Sequence, residues 1–180
     1  MQNACLYGCA AVLGLLSLRC VRCDSVTYNI GGEDVTFTNE PPTDNVERLP
    51  RKPDKIPTIF YLYTQGRKQK KQLAKIATKQ SSTVKESTIT GSNYDGTKRT
   101  IFICHGWWGL YLSDWVKKAR KLILEEEDVN IIAVDYWKAA ATSWDVWVQS
   151  VADSFLVGYV IAYFMKELNR ITGASYGNMY

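Results

Sequence analysis

The chain has 180 residues, of which 46% are hydrophobic and 12% aromatic, and a formal net charge of +4. This length and composition are typical of one globular domain and exclude a disordered chain. The mild charge gives no support for nucleic-acid binding, because the basic residues are scattered apart from one cluster and no nucleic-acid motif occurs.

The first 23 residues have the pattern of a signal peptide. Residues 5–18 form an apolar run that is too short to span a bilayer comfortably. Val21 and Cys23 provide small residues three and one positions before Asp24, which fits cleavage at that point. No Lys or Arg precedes the apolar run, so an uncleaved signal anchor is the alternative interpretation. We predict cleavage before Asp24 and hence a secreted, extracellular protein.

Cleavage would remove four of the five cysteines and leave Cys104. A single cysteine cannot form an internal disulfide, so a disulfide scaffold is excluded. Cys104 lies inside an apolar run, and we predict that it is a small buried hydrophobe. The adjacent His105 would point to the opposite face of a strand, so we do not expect a catalytic Cys-His pair.

A polar segment, residues 24–56, is predicted to be an irregular lead-in that lies over the surface of the domain. Pro41, Pro42, Pro50 and Pro53 disfavour regular structure there. Residues 35–38 (Val-Thr-Phe-Thr) have the composition of a short strand. The main domain is predicted to span residues 57–180. Its first strand is expected at residues 58–64, which are mostly β-branched and aromatic.

Residues 66–80 contain a cluster of six basic side chains: Arg67, Lys68, Lys70, Lys71, Lys75 and Lys79. We interpret this segment as a solvated loop or short helix. The alternative is a patch for an anionic surface or a heparin-like polymer. Residues 83–90 are predicted to form a second strand, paired antiparallel with residues 100–104 through a hairpin turn at Asp95-Gly96.

The second half of the domain predicts a βαβ unit. Apolar residues at helical spacing indicate a helix that begins near Ser113 and ends at the acidic residues 125–128. Residues 130–135 form a continuous apolar strand that ends in Asp135, as in a parallel sheet. The longest helical pattern covers residues 144–169. Polar residues interrupt its first half, so a buried crossover helix is favoured over a membrane span.

Residues 101–108 (Ile-Phe-Ile-Cys-His-Gly-Trp-Trp) form the main motif. A strand-like run stops at His105-Gly106, and His105 is the only histidine in the chain. In α/β proteins, chemistry collects at the carboxyl ends of such strands. The motif therefore predicts either the edge of an active site or a strand that merely ends in a glycine turn.

These elements, in this order and at this spacing, resemble the pancreatic-lipase family of α/β-hydrolases. The segments that carry the resemblance are residues 60–64, 100–106 and 130–136, with Val157-Gly158 inside the last helix. The resemblance covers residues 57–180 and implies an α/β fold, the N-terminal part of an α/β-hydrolase sheet with flanking helices. The family includes triacylglycerol lipases, secreted phospholipases A1 and catalytically silent yolk proteins.

The resemblance also implies a function for the turn. In this family the residue after His-Gly contributes its backbone N–H to the oxyanion hole, and that residue here is Trp107. His105 and Gly106 would then shape the turn. Asp135, in a Val-Asp-Tyr segment that resembles the family's Val-Asp-Trp, precedes the nucleophile and is expected to be a structural carboxylate.

The family's nucleophile lies in a Gly-x-Ser-x-Gly turn, and the triad follows the order Ser, Asp, His. Asn178-Met179-Tyr180 resembles the start of the strand before that turn. We therefore expect all three triad members after Tyr180, so that the chain is truncated before the nucleophile elbow and inactive by itself. If residues 24–180 were the whole product, the missing strand would predict poor folding.

Together these observations predict a secreted carboxylic ester hydrolase of lipid substrates, either triacylglycerol or phospholipid. The expected partner is a lipid ester or a lipid surface, and neither a cofactor, a metal nor nucleic acid is expected. The alternative is a non-catalytic lipid-binding or yolk-type storage protein on the same fold.

Overall fold

The computed structural model describes residues 24–39, 48–65, 71–76, 84–141 and 147–180, so the predicted signal peptide lies outside the described residues. The strands are β1 (Ser25–Ile30), β2 (Glu33–Thr38), β3 (Thr58–Thr64), β4 (Lys71–Ile76), β5 (Thr100–Cys104) and β6 (Asn130–Asp135). The helices are α1 (Glu86–Thr90), α2 (Asp114–Glu126), α3 (Trp137–Ala140) and α4 (Trp147–Thr172). Within the described residues, short 3-10 helices lie at Pro53–Lys55 and Tyr176–Asn178.

The lead-in contains an antiparallel hairpin of β1 and β2, so the prediction of an irregular segment is wrong for these residues. Gly31 and Gly32 connect the strands with φ angles of 62° and 92°, which suit a tight hairpin turn. The short strand predicted at residues 35–38 lies within β2. The hairpin packs on α4, where the rings of Phe37 and Tyr159 meet edge to face at 5.4 Å.

The main sheet has the order β4-β3-β6-β5. β3 pairs antiparallel with both β4 and β6, whereas β5 pairs parallel with β6. The strands predicted at residues 58–64, 100–104 and 130–135 and the parallel βαβ unit are confirmed. All six residues of β6 are buried, as its continuous apolar sequence indicates.

Two local predictions between β3 and β5 are wrong. Part of the basic cluster forms β4, whose apolar Leu73 and Ile76 are buried while Lys75 is exposed. Lysines on an edge strand protect it from pairing with other chains, so the charge run and the strand are compatible. Residues 86–90 form α1 rather than a strand. The Asp95-Gly96 turn therefore leads into β5 without a hairpin partner among the described residues.

The sheet has helices on both faces. One face packs on α4, α1 and the hairpin, with Phe60 of β3 stacked on Phe164 of α4 at 4.0 Å. The other face packs on α2 through Val116, which is fully buried. The carboxyl ends of β5 and β6 therefore lie between α2 on one face of the sheet and α3 and α4 on the other.

α4 is long and apolar enough to cross a membrane by length and composition. Its buried residues include Leu156, Val160 and Phe164, which recur at helical spacing and belong to the core under the sheet. The charged Asp153 is also fully buried on this helix. These contacts match the predicted buried crossover helix.

After α4, the chain returns to the sheet beside β5. Met179 forms a parallel bridge with Thr100. The Tyr180 amide donates to the Thr100 carbonyl at 2.9 Å, and the Phe102 amide donates to the Tyr180 carbonyl at 2.7 Å. The extended structure predicted near Met179 and Tyr180 is therefore present, next to the amino-terminal half of β5.

Candidate active site

The candidate site is the turn that follows β5. Because β5 and β6 are parallel and Cys104 pairs with Val134, both strands end at the same edge of the sheet. His105 and Gly106 follow β5 there, and Tyr136 and α3 follow β6. The structure thus places the predicted motif at the carboxyl edge, where loops from successive strands meet.

Residues 106–109 form a four-residue turn. The Gly109 amide donates to the Gly106 carbonyl at 2.9 Å and closes it. Trp108 occupies the third position with a φ of 55°, a left-handed conformation that is uncommon for a bulky residue. Its amide donates to the carbonyl of Ala140 in α3 at 3.1 Å. Such backbone strain clusters at functional sites, where surrounding contacts hold it in place.

His105 is buried beneath this turn. Its Nε2 lies 3.2 Å from the backbone amide of Tyr136, which can only donate, so Nε2 is the acceptor. The proton then belongs to Nδ1, which donates to the Gly106 carbonyl at 3.0 Å. The imidazole also stacks on the Tyr136 ring with centroids 4.1 Å apart. Both ring nitrogens of this neutral histidine form hydrogen bonds to the backbone, and the bond to Gly106 fixes the turn.

Asp135 and Tyr136 complete the layer under the turn. Oδ1 of Asp135 lies 3.5 Å from Nε2 of His105 and accepts a hydrogen bond from the Trp137 amide at 3.3 Å. Because Nε2 is an acceptor, the carboxylate does not form an ion pair with this tautomer. The Tyr136 hydroxyl donates to the His105 carbonyl. Burial raises the pKa of this phenol to about 12, so it stays protonated.

Tyr136 is a site residue that sequence reasoning did not single out. It contacts His105 through its backbone amide, its ring and its hydroxyl. The available signal was its position directly after the buried strand that ends in Asp135.

Cys104 is an exposed residue, so the prediction of a small buried hydrophobe is wrong. It is the last residue of β5, where neighbouring side chains no longer cover the strand. The surrounding protein still raises the pKa of its thiol, because partial burial disfavours the thiolate. The ring nitrogens of the adjacent His105 contact Gly106 and Tyr136 instead of the Cys104 thiol.

A cavity of about 190 Å³ lies beside Trp107. Trp107 and Tyr136 form one side, and Trp147, Ser150, Val151 and Ser154 of α4 contribute to the other. Sites for drug-sized ligands have volumes of roughly 300–1,000 Å³, so this cavity is large enough to hold only a part of such a ligand. Its lining is mostly apolar, which suits a hydrocarbon chain.

The same edge carries a concentration of exposed apolar side chains, here called the tryptophan surface. Its members come from the loop after β5, from the start of α2, from α3 and from the start of α4. They are Trp107, Trp108, Leu110, Leu112, Trp115, Trp137 and Trp147. Their exposed fractions lie between 40% and 63%, which is unusual for so many large apolar residues on one edge.

The letters Gly-x-Ser-x-Gly occur at residues 173–177, a match that the sequence prediction overlooked. A nucleophile elbow is a strand-to-helix turn at the carboxyl edge of the sheet. Ser175 instead follows α4 and precedes Met179, which pairs with the first residue of β5. Its hydroxyl accepts a hydrogen bond from the Gly177 amide at 3.2 Å. Ser175 therefore lies at the amino edge, opposite Trp107 and His105, and is not in a nucleophile elbow.

Among the described residues, no group of three His, Cys, Asp or Glu side chains is placed to hold a metal ion. The site consists of backbone donors, one neutral histidine, a phenol and an apolar cavity. Such a set can stabilise a developing negative oxygen and bind a hydrocarbon chain. Its histidine contacts Gly106 and Tyr136 through its two ring nitrogens and is therefore not a free base.

The chain is an α/β protein, with a mixed sheet and a parallel βαβ unit. Its candidate active site lies on the loops that follow the parallel strands. The profile of the family described as Lipase matches residues 24–180. The chain therefore belongs to the lipase family, which makes its fold that of an α/β-hydrolase. The match begins at residue 24, so it includes the β1–β2 hairpin.

Individual relatives agree with this assignment. The chain is 30% identical to pancreatic lipase-related protein 2 of Myocastor coypus over 172 residues, which cover 93% of the chain and 34% of the relative. It is 31% identical to the human protein of that name, over 91% of the chain and 33% of the relative. Pancreatic triacylglycerol lipase of Sus scrofa is 31% identical over 73% of the chain and 27% of the relative. The chain thus spans about a third of the length of these relatives.

Proposed function

We propose that this chain is part of a secreted carboxylic ester hydrolase that acts on lipid esters, either triacylglycerols or phospholipids. The observation that carries the proposal is the turn of residues 106–109 at the carboxyl edge of a lipase-family sheet, beside an apolar cavity and the tryptophan surface. The names of the relatives, which are pancreatic lipases and lipase-related proteins, favour the same chemistry.

In this proposal the Trp107 backbone amide is one donor of the oxyanion hole. Acyl transfer develops a negative charge on the carbonyl oxygen, and fixed N–H donors stabilise it without reorganisation. The amides of Trp108 and Gly109 donate to the carbonyls of Ala140 and Gly106, and these two hydrogen bonds hold the backbone that follows Trp107. The neutral His105 adds no charge and keeps the turn in place through Gly106. The Trp107 side chain forms part of the cavity that would take the acyl chain.

We place the nucleophile, acid and base in a part of the protein after Tyr180. Two observations favour this. The relatives are about three times as long as the matched region, and Met179 forms a parallel bridge with Thr100 of β5, as the start of a further strand would. Ser175 and His105 lie at opposite edges of the sheet and cannot act together. Residues 24–180 alone are therefore expected to be inactive.

Fluorophosphonate labelling of the full-length secreted protein tests this function. A covalent adduct on a serine after Tyr180 is expected, since an activated serine attacks phosphorus as it attacks an ester. Absence of an adduct in a protein that still binds a long-chain ester would instead favour a lipid-binding or yolk-type storage protein on the lipase fold. The apolar cavity and the tryptophan surface support that second candidate, because both can bind lipid without a nucleophile.

A further inference from the structure

Asp153 of α4 has a fully buried carboxylate, which binds Arg51 from the segment before β3. The Arg51 backbone amide donates to Oδ1 at 2.8 Å, while Nε and Nη2 lie 2.7 Å and 2.6 Å from Oδ2. Gln149 adds hydrogen bonds from Nε2 to Oδ1 and to the Leu49 carbonyl, both of 3.0 Å. The lead-in is thus fixed to α4 by a complete set of polar contacts.

The same guanidinium reaches a second helix. Nη2 of Arg51 donates to the carbonyl of Lys138 in α3 at 2.7 Å. α3 has only four residues, and the carbonyl of its last residue, Ala140, accepts the Trp108 amide at 3.1 Å. Asp153, Arg51, α3 and Trp108 therefore form a continuous path of contacts from the core of α4 to the turn after β5.

We propose that Arg51 is a positioning residue that acts through α3 to hold the turn carrying Trp107. The proposal rests on the function proposed for that turn. A four-residue helix is not stable by itself, so its place depends on contacts with its neighbours. Arg51 supplies the contact that connects α3 to the most buried charge of α4. The left-handed Trp108 is in turn held by the carbonyl of Ala140 in α3.

The chemistry of arginine explains why this residue type is needed. A planar guanidinium can bond a carboxylate and a carbonyl of different helices at the same time, because its N–H groups have fixed directions. A lysine keeps the positive charge beside Asp153 but lacks this fork. The substitution Arg51→Lys therefore separates charge neutralisation of Asp153, which it retains, from the connection to Lys138, which it removes.

Amide hydrogen exchange of the full-length protein, measured by NMR, tests the proposal. The measured quantity is the exchange rate of the Trp108 amide divided by that of the amides in the central strand β6. We expect this ratio to be at least tenfold higher in Arg51→Lys than in the wild type. The matched control is Arg99→Lys, because Arg99 binds both oxygens of Glu127 at 2.8 Å and 2.7 Å but does not contact α3. That control should leave the relative rate at Trp108 unchanged.

An equal acceleration of Trp108 and β6 amides would overturn the proposal, since it would show an effect on global stability alone. An unchanged Trp108 amide would also overturn it. If Arg51→Lys does not fold, Gln149→Met removes two of the contacts that fix Asp153 and Leu49, and at least a threefold relative acceleration at Trp108 is expected. No acceleration there would contradict the path. Fluorophosphonate labelling reports separately on the proposed function, so a labelled serine with unchanged exchange would exclude only the positioning role of Arg51.

Discussion

The amide of Trp108 donates to the carbonyl of Ala140 and thereby joins the loop after β5 to the helix after β6. These two segments follow the two parallel strands of the βαβ unit. The turn therefore depends on a contact between neighbouring loops as well as on its own sequence. The backbone next to Trp108, which includes the amide proposed as the oxyanion donor, is therefore held by both loops.

The first prediction concerns Gly109. A Cβ at this position would lie 2.8 Å from the Gly106 carbonyl oxygen and 3.1 Å from the Gly106 nitrogen, so Gly109→Ala should disrupt the turn. We expect a loss of about 1–3 kcal/mol in the free energy of unfolding, typical of an overpacked site. Urea denaturation of the wild type and of Gly109→Ala measures this difference in the free energy of unfolding.

Gly158→Ala is the matched control for this substitution. Gly158 lies inside α4, and a Cβ there meets no atom within 4 Å apart from its chain neighbours and the backbone of its own helix. Alanine is the better helix former, so a gain of about 0.5–1 kcal/mol is expected. Equal effects of the two substitutions would contradict the steric argument for Gly109.

The second prediction concerns the half-buried phenol of Tyr136. Its pKa is about 12 in the folded protein and about 10 in an unfolded chain, because burial disfavours the phenolate. A raised pKa of an acid means that the unfolded state releases its proton first. The contribution of this group to stability is therefore complete below pH 10 and is lost as the pH rises from about 10 to 12.

Tyr136→Phe isolates this contribution. Absorbance titration should show one fewer tyrosine that ionises near pH 12, while Tyr61, whose pKa burial also raises to about 12, remains. The difference in stability between wild type and variant should narrow between pH 10 and 12. A difference that stays constant over this range would show that Tyr136 ionises together with the exposed tyrosines.

Sequence reasoning succeeded where the decisive interactions are local or repeat along one element. The continuous apolar sequence of β6 requires burial on both faces, and the structure buries all six residues. The apolar residues of α4 recur on one face and belong to the core. The His-Gly motif marked the turn after β5, because glycine weakens a strand and is a common turn residue.

Sequence reasoning failed where contacts distant in the chain decide the structure. The lead-in is an exception, because its signal was local. The prolines after residue 40 suggested irregular structure, although the Gly31-Gly32 pair between two short runs with β-branched and aromatic residues was a hairpin signal. The segment of α1 has β-type residues, yet Ile89 is buried against the core in a helix. Arg51 and Asp153 are 102 positions apart, so no local pattern could reveal their contact.

The third prediction concerns the mature N-terminus. β1 begins at Ser25, and the Asp24 amide donates to the Asn39 side chain at 2.8 Å, so a cut before Asp24 leaves the hairpin complete. The secreted protein is therefore expected to start at Asp24. Intact-mass measurement of protein from the culture medium checks this. Protein that stays in the membrane fraction with a mass that includes residues 1–23, and is absent from the medium, would favour the uncleaved signal anchor instead.

The fourth prediction concerns the tryptophan surface. Tryptophan prefers the interface between lipid and water, so these exposed rings should insert when the protein meets a lipid surface. Trp108 and Trp115 are 63% and 52% exposed, and removal of either ring should weaken binding to phospholipid vesicles about tenfold, given the apolar area lost. Tyr176→Ala is the control, because Tyr176 is 53% exposed but precedes Met179 at the amino edge. Co-sedimentation with vesicles measures the three variants. Equal losses for Tyr176→Ala and Trp108→Ala would show that lipid binding does not depend on the carboxyl edge.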